Sequence, residues 1–90
     1  MSVSVIIPTP LRAFADGTRH LAVDADTVGG ALDQVTSLHP RLRTQLYCGE
    51  RLRAFVNVFV NDENIRDIGG GDAPLAAGDT ISIIPSIAGG

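Results

Sequence analysis

The segment of the sequence best suited to chemistry is its end, Ile87-Ala88-Gly89-Gly90. These residues carry no charged side chain and lose bulk stepwise towards Gly90. Glycine has no Cβ, so Gly89 and Gly90 let backbone enter a slot too narrow for other residues. Four extended residues reach about 13–14 Å, enough to bring a Gly90 carboxylate into a partner's active site. A frayed end is the plain alternative. A carboxylate is a poor electrophile, so we expect activation, most simply as an acyl-adenylate.

Other reactive side chains are few and scattered along the chain. His20 and His39 are predicted to be solvated, and the single cysteine, Cys48, is predicted to lie in a polar loop. One cysteine excludes a disulfide framework, a four-thiolate iron–sulfur cluster and a cysteine-rich zinc site. The glycines at 69–71 lack the Lys-Ser/Thr of a phosphate-binding loop. The sequence therefore predicts no enzyme active site, no metal site and no bound cofactor.

The charge pattern bears on partners and compartment. A net charge of −3 argues against non-specific nucleic-acid binding, which needs a basic face. Residues 41–60 are locally basic, with four arginines against Glu50, while residues 61–90 are locally acidic. The basic stretch is either a solvated face or a contact for a phosphate or an acidic partner. No apolar run approaches the roughly 18 residues of a membrane span, and Met-Ser-Val-Ser-Val is not a secretory signal. A cytoplasmic location is expected.

Alternating apolar residues predict four main strands around one helix. Ninety residues with 44% hydrophobic content suffice for one domain. The strands are expected at residues 2–7, 18–24, 55–61 and 80–85, with a short edge strand at 65–67. The helical stripe is Val28, Ala31, Leu32, Val35 and Leu38. Asp26 is the expected N-cap, Pro40 ends the helix, and one short turn follows at 41–46. Gly29 and Gly30 are expected to pack closely against the sheet.

One helix packed across one mixed sheet buries the apolar face of each. The order strand, strand, helix, strand, short strand, strand predicts an α+β fold, the ubiquitin-like β-grasp. Its mixed sheet has four to five strands, with the first and last strands side by side at the centre. The expected division is a domain at residues 1–86 and a flexible Gly-Gly tail at 87–90.

The sequence resembles the MoaD/ThiS family of sulfur carriers over essentially its whole length. The resemblance rests on Val5-Ile6-Ile7-Pro8-Thr9 with Leu11-Arg12, and on the 55–63 stretch Phe-Val-Asn-Val-Phe-Val-Asn-Asp-Glu. It also rests on Leu75-Ala76-Ala77-Gly78-Asp79 and on the segment 83–90, which ends in Gly-Gly. Within the family the sequence is most similar to the CysO branch of cysteine biosynthesis.

This resemblance implies a cycle run by partner enzymes. A ubiquitin-activating-type enzyme would adenylate Gly90 with ATP, and a sulfur donor would convert it to a thiocarboxylate. A PLP-dependent cysteine synthase would accept the sulfur, and a zinc metalloprotease would release cysteine. ATP, PLP and zinc would belong to these partners, and the carrier would be a co-substrate, not a catalyst. Gly89, Ala88 and Ile87 would accompany Gly90 into the partner.

A second predicted contact lies on the outer face of the sheet. Ile6, Phe59, Ile84 and Phe55 fall at outward positions of strands that a β-grasp places together. A contiguous apolar patch is typical of an interface, so we expect it to dock the activating enzyme, with Phe59 near its centre.

Rival functions share the tail but differ in acceptor. They are the small subunit of molybdopterin synthase, a carrier for thiamine, tRNA or natural-product thiolation, a ubiquitin-like modifier joined to target lysines through Gly90, and an interaction module with an inert tail. The chain has no lysine, so it could not build lysine-linked chains on itself.

Overall fold

A computed structural model describes residues 2–85 of the chain. In chain order the main elements are β1 (Ser2–Ile6), β2 (His20–Asp24), α1 (Val28–Leu38), α2 (Pro40–Leu46), β3 (Tyr47–Cys48), β4 (Arg51–Leu52), β5 (Val56–Val60), β6 (Glu63–Asn64) and β7 (Thr80–Pro85). Short 3-10 helices lie at Thr9–Ala15, Ile65–Asp67 and Gly70–Asp72.

The sheet has five strands in the order β2-β1-β7-β5-β6, with β3 and β4 forming a separate hairpin. β1 and β7 run parallel at its centre, and the other pairs are antiparallel. Each of the two central strands therefore has a neighbour on both edges. The predicted α+β, ubiquitin-like β-grasp with a five-stranded mixed sheet is confirmed.

The core follows the predicted alternation. Val3, Val5 and Ile7 are at most 1% exposed, and Ile81 and Ile83 of β7 are at most 2% exposed. The three valines of β5 are also buried. Strands with one buried face alternate apolar and polar residues with a period of two, which is why these positions could be assigned from sequence.

Helix α1 covers the inner face of the sheet. It differs from the prediction at its N-cap and at Leu38. Its N-cap is Thr27, whose hydroxyl oxygen accepts a hydrogen bond from the Gly30 amide at 3.1 Å. Asp26 is not the cap, because the helix begins one residue later, at Val28. The stripe is buried through Val35, but Leu38 is 62% exposed. The next buried apolar side chains are Leu42 and Leu46 of α2, so the core is filled without Leu38.

The close approach at Gly29 involves a turn and not the sheet. A Cβ added to Gly29 would lie 3.1 Å from the carbonyl oxygen of Gly71, a distance that requires the neighbour to shift. The N-terminal turn of α1 thus lies directly against the Gly70–Asp72 turn, and the predicted packing partner was wrong.

The connections differ from prediction in three places. The segment after β1 forms the 3-10 helix Thr9–Ala15, and β2 begins at His20 instead of residue 18. The segment 47–53 contains the β3–β4 hairpin. The short edge strand is Glu63–Asn64, and Ile65–Asp67 is a 3-10 turn capped by the Asn64 side chain.

Candidate functional site

The described part of the chain ends at the base of the predicted reactive tail. Gly90, Gly89, Ala88 and Ile87 lie outside the described residues. Strand β7 leads to them and is paired on both edges, with β1 and with β5. Its Ile81 and Ile83 are at most 2% exposed, so the strand is held by core packing as well as by its ladders. The tail therefore starts from a fixed base at Pro85, which lies opposite Val56.

The sheet register brings Ile6, Phe59 and Ile84 together on the outer face, which we call the outer-face patch. Ile6 of β1 and Phe59 of β5 both lie opposite Ser82 of the intervening strand β7, so one row crosses three strands. Ile84 is two residues further along β7, on the same face. Ile84 is 48% exposed, Ile6 is 40% exposed, and Phe59 is half-buried. The patch is thus a real surface of the fold, and its docking role stays a prediction.

Phe55 lies just before β5 and is 38% exposed. It follows Ala54, whose carbonyl oxygen accepts a hydrogen bond from Arg66 at 3.0 Å. Phe55 was predicted to begin the strand and to face outward, but β5 begins at Val56 and Phe55 lies in the preceding turn, so no strand register places it on the outer-face patch.

The other candidate reactive residues stay apart in the described part of the chain. Cys48 is exposed and faces Arg51 across the hairpin. His20 is exposed at the start of β2, as predicted. His39 is not solvated as predicted: its side chain is 13% exposed, and its Nδ1 atom lies 3.6 Å from an Asp16 carboxylate oxygen. Within residues 2–85 no three His, Cys, Asp or Glu side chains come together to hold a metal ion. In the same residues no helix is long and apolar enough to cross a membrane.

A groove that the sequence analysis missed lies between α1, the end of α2 and the β3–β4 hairpin. Its volume is about 470 Å³, and its lining includes Leu32, Asp33, Arg43, Tyr47 and Arg51. The Arg43 guanidinium stacks on the Tyr47 ring at 4.5 Å from its centroid and lies 3.8 Å from an Asp33 oxygen. Charges of both signs line this groove, so it does not select an anion or a cation.

The pKa of the Tyr47 hydroxyl is shifted by its surroundings in this groove. Burial raises the pKa of Tyr47 above its ordinary value, the Asp33 carboxylate raises it further, and Arg43 acts in the opposite direction. The groove could not be read from sequence because it depends on how the hairpin folds back against α1.

The chain is similar in sequence and in fold to several known proteins. The ThiS family model matches residues 5–90. The sulfur carrier protein CysO of Mycobacterium tuberculosis is 34% identical over 93 residues, covering 100% of both chains. A chain in the crystal structure of the Amycolatopsis orientalis BexX/CysO complex is 41% identical, with a TM-score of 0.89 over 98% of this chain and 99% of that one. Crystalline SAMP1 of Haloferax volcanii is 31% identical, with a TM-score of 0.86 over all of both chains.

Proposed function

The chain belongs to the ThiS family, and from this premise we propose that the Gly90 carboxylate is the group that carries sulfur. It is a sulfur carrier similar over its whole length to CysO. The alignment that covers all of both chains supports this proposal most directly, because it includes Gly89 and Gly90. The paired and buried strand β7 supports it physically, since it gives the tail a fixed base.

The proposed reaction has two steps on the tail. A carboxylate oxygen of Gly90 attacks the α-phosphorus of ATP, and pyrophosphate leaves. Hydrosulfide or an equivalent sulfur nucleophile then attacks the acyl carbon, and AMP leaves, so that one oxygen is replaced by sulfur. Residues 86–90 extend at most about 17 Å from Pro85. This reach is enough for Gly90 to enter a partner's active site while the folded domain stays outside.

The catalytic groups of this cycle are assigned to partners. A ubiquitin-activating-type enzyme supplies the ATP site for adenylation. The similarity to CysO favours cysteine biosynthesis as the destination of the sulfur, with a PLP-dependent cysteine synthase as acceptor enzyme and a zinc metalloprotease to release the product. The chain itself serves as a protein co-substrate in the cytoplasm.

A second candidate is a protein modifier that becomes joined to lysines of other proteins through Gly90. The similarity to SAMP1, a small archaeal modifier protein, favours it. Both functions begin with the same adenylated tail and differ only in the nucleophile that follows. Sulfur produces a thiocarboxylate, and a lysine amine produces an isopeptide bond.

The test is intact-mass measurement after incubation with ATP, sulfide and the adenylating enzyme. The carrier should gain the mass difference between sulfur and oxygen, and the gain should vanish without ATP. The last arginine is Arg66 and there is no lysine, so trypsin releases residues 67–90 as one peptide on which the change can be located. A gain on another peptide, or no gain at all, would refute the assignment of Gly90.

The acceptor is then identified from the loaded carrier. Addition of the cysteine synthase and O-phosphoserine should convert the Gly90 thiocarboxylate to a cysteine adduct, with release of phosphate, if the cysteine branch is correct. Transfer instead to lysine-containing proteins, seen as carrier-sized mass additions, would favour the modifier.

A further inference from the structure

Charge is segregated along the strand direction of the sheet. We call the end at which β7 reaches Pro85 the tail end, and the opposite one the far end. β5 begins at the tail end, because Val56 lies opposite Pro85. β1 also finishes towards the tail end, because it runs parallel to β7.

Two arginines lie at the tail end beside β1. The Arg12 Nε atom donates a hydrogen bond to the Ile7 carbonyl oxygen at 3.0 Å. The Ile7 amide in turn donates to the Arg19 carbonyl oxygen at 2.9 Å, which places Arg19 at the same end. Asp16 follows the intervening 3-10 helix and is the acidic residue of this segment.

Two more arginines lie at the tail end beside β5. The Val56 amide donates to the Arg53 carbonyl oxygen at 3.0 Å, and the Arg53 Nε atom donates to the Thr44 carbonyl oxygen at 3.2 Å. Arg66 donates to the Ala54 carbonyl oxygen at 3.0 Å. Each guanidinium is thus held in place by one hydrogen bond and keeps further N–H donors for another partner.

The far end is acidic. Asp24 lies opposite Ser2 at the start of β1, and Glu63 lies opposite Val60 at the end of β5. The Asp79 carboxylate accepts hydrogen bonds from the Ala76 amide and the Asn61 side chain. The acidic residues at this end are Asp24, Asp26, Asp62, Glu63 and Asp79.

The two ends are far enough apart to be sensed separately. Five residues of strand span about 17 Å, whereas exposed charges are largely screened beyond about 8 Å at physiological ionic strength. Four arginines against Asp16 and Asp67, which adjoins Arg66, leave the tail end positive, although the whole chain carries a net charge of −3.

We propose that Arg12, Arg19, Arg53 and Arg66 orient the carrier, tail first, on an enzyme whose active-site entrance is lined by carboxylates. This proposal rests on the proposed function and adds the chemistry of the partner surface. An extended tail carries Gly90 up to about 17 Å beyond Pro85. Arginines of the folded domain would therefore face the partner's surface, where carboxylates are the matching group, and not the phosphates of ATP bound at Gly90. Charges at the edge of an interface act mainly on the rate of association, while the outer-face patch would supply contact area.

The test compares the concentration dependence of thiocarboxylate formation by the adenylating enzyme for two double variants. Arg53→Gln/Arg66→Gln should raise the KM for the carrier about three- to tenfold at low salt, the loss expected for two exposed ion pairs, and leave kcat unchanged. Asp62→Asn/Glu63→Gln changes the net charge by the same magnitude with the opposite sign at the far end, and should leave KM near that of wild type. Raising the salt concentration should reduce the differences in KM between the wild type and the two double variants.

Charge and hydrogen-bond geometry are separated by Arg53→Lys/Arg66→Lys, which should recover most of the wild-type KM. An unchanged KM in the glutamine double variant overturns the proposal, and so do equal and opposite shifts in the two double variants, since these would reflect net charge alone. Melting temperatures of all variants check the fold. The wild type tests the proposed function separately, because it must form the thiocarboxylate whatever the arginines do.

A second measurement needs no enzyme. An oligoglutamate peptide titrated into isotope-labelled carrier at low salt should shift the amide signals near Arg53 and Arg66 and leave those near Asp62 and Glu63 in place. Uniform shifts, or shifts at the far end, would contradict the orientation argued from the structure.

Discussion

If the outer-face patch docks the adenylating enzyme, Ile84→Ala should weaken that binding by an amount that follows from the exposure of Ile84. Ile84 is 48% exposed, so about half of its side chain is available to a partner. Complete burial of an isoleucine side chain stabilises by about 1.5–3 kcal/mol, so the exposed half is worth roughly 1 kcal/mol on binding. We expect Ile84→Ala to weaken binding to the adenylating enzyme roughly fivefold, and Phe59→Ala to weaken it at least as much if Phe59 is central.

Leu38→Ala is the matched control. Leu38 is 62% exposed but lies on α1, which covers the opposite face of the sheet. It therefore offers more apolar surface than Ile84 and none of it on the patch. Titration calorimetry without ATP measures the affinities, and thermal unfolding verifies the fold. If Ile84→Ala and Leu38→Ala have the same dissociation constant, the patch does not dock this enzyme.

Three further predictions concern the domain. Cys48→Ser should accept sulfur at the wild-type rate, because the sulfur is carried on the tail; loss of transfer with an intact fold would overturn this. Thr27→Ala should cost about 1 kcal/mol of stability, lowering Tm by about 4–8 °C, whereas Asp26→Ala should change it little; reversed effects in thermal unfolding would contradict the cap. Tyr47, the only tyrosine, should titrate above its usual pKa in absorbance measurements, and Asp33→Asn should lower that pKa.

The sign of the Tyr47 effect on stability follows from the direction of its pKa shift. A folded-state pKa above the unfolded value of 10.0 means that the folded chain holds the proton more tightly. The contribution of Tyr47 to the free energy of unfolding is therefore fully present below pH 10 and is lost as the pH rises through the folded-state pKa. Denaturation at increasing alkaline pH should show this loss, and it should be smaller in the Asp33→Asn variant.

The buried residues of the strands were predictable because an alternating strand can bury its apolar residues on one face only. Val3 and Val5 each follow a serine, and Ile81 and Ile83 follow a threonine and a serine, so the alternation assigns all four to one buried face. The outer-face patch followed from the same alternation. Its members were the apolar residues left on the other side once the buried set was assigned.

Positions decided by contacts between distant segments were not predictable. Asp26 and Thr27 are both good N-cap residues, and the choice depends on where the helix begins relative to Ala73, whose carbonyl oxygen accepts a hydrogen bond from Val28. Leu38 continues the apolar stripe, yet α2 provides the buried leucines instead. The charge runs visible in sequence do not coincide with the two ends of the sheet. Arg66 belongs to the acidic run, yet the fold brings it to the tail end together with Arg12 and Arg53.

The tail should act as a ruler because the strand that carries it cannot slip. A shift of β7 by one residue would turn Ile81 and Ile83 outward and Ser82 and Ile84 inward, so the sheet cannot compensate for a shorter tail. Deletion of Gly90 moves the carboxylate back by about 3.5 Å, and a 1 Å displacement can cost about a hundredfold in rate. We therefore expect at least that loss in thiocarboxylate formation.

Further tail variants separate length from composition. Deletion of Ala88 shortens the tail equally but keeps the Gly-Gly end, and it should be as inactive as the chain that lacks Gly90. One residue added after Gly90 should also abolish the reaction, because the carboxylate passes the adenylation site, and Gly89→Ala should slow it through the added Cβ. Melting temperatures should stay near wild type, since none of these changes touches the core. Wild-type sulfur transfer by a chain without Gly89 and Gly90 would refute both the ruler and the sulfur-carrying role of Gly90.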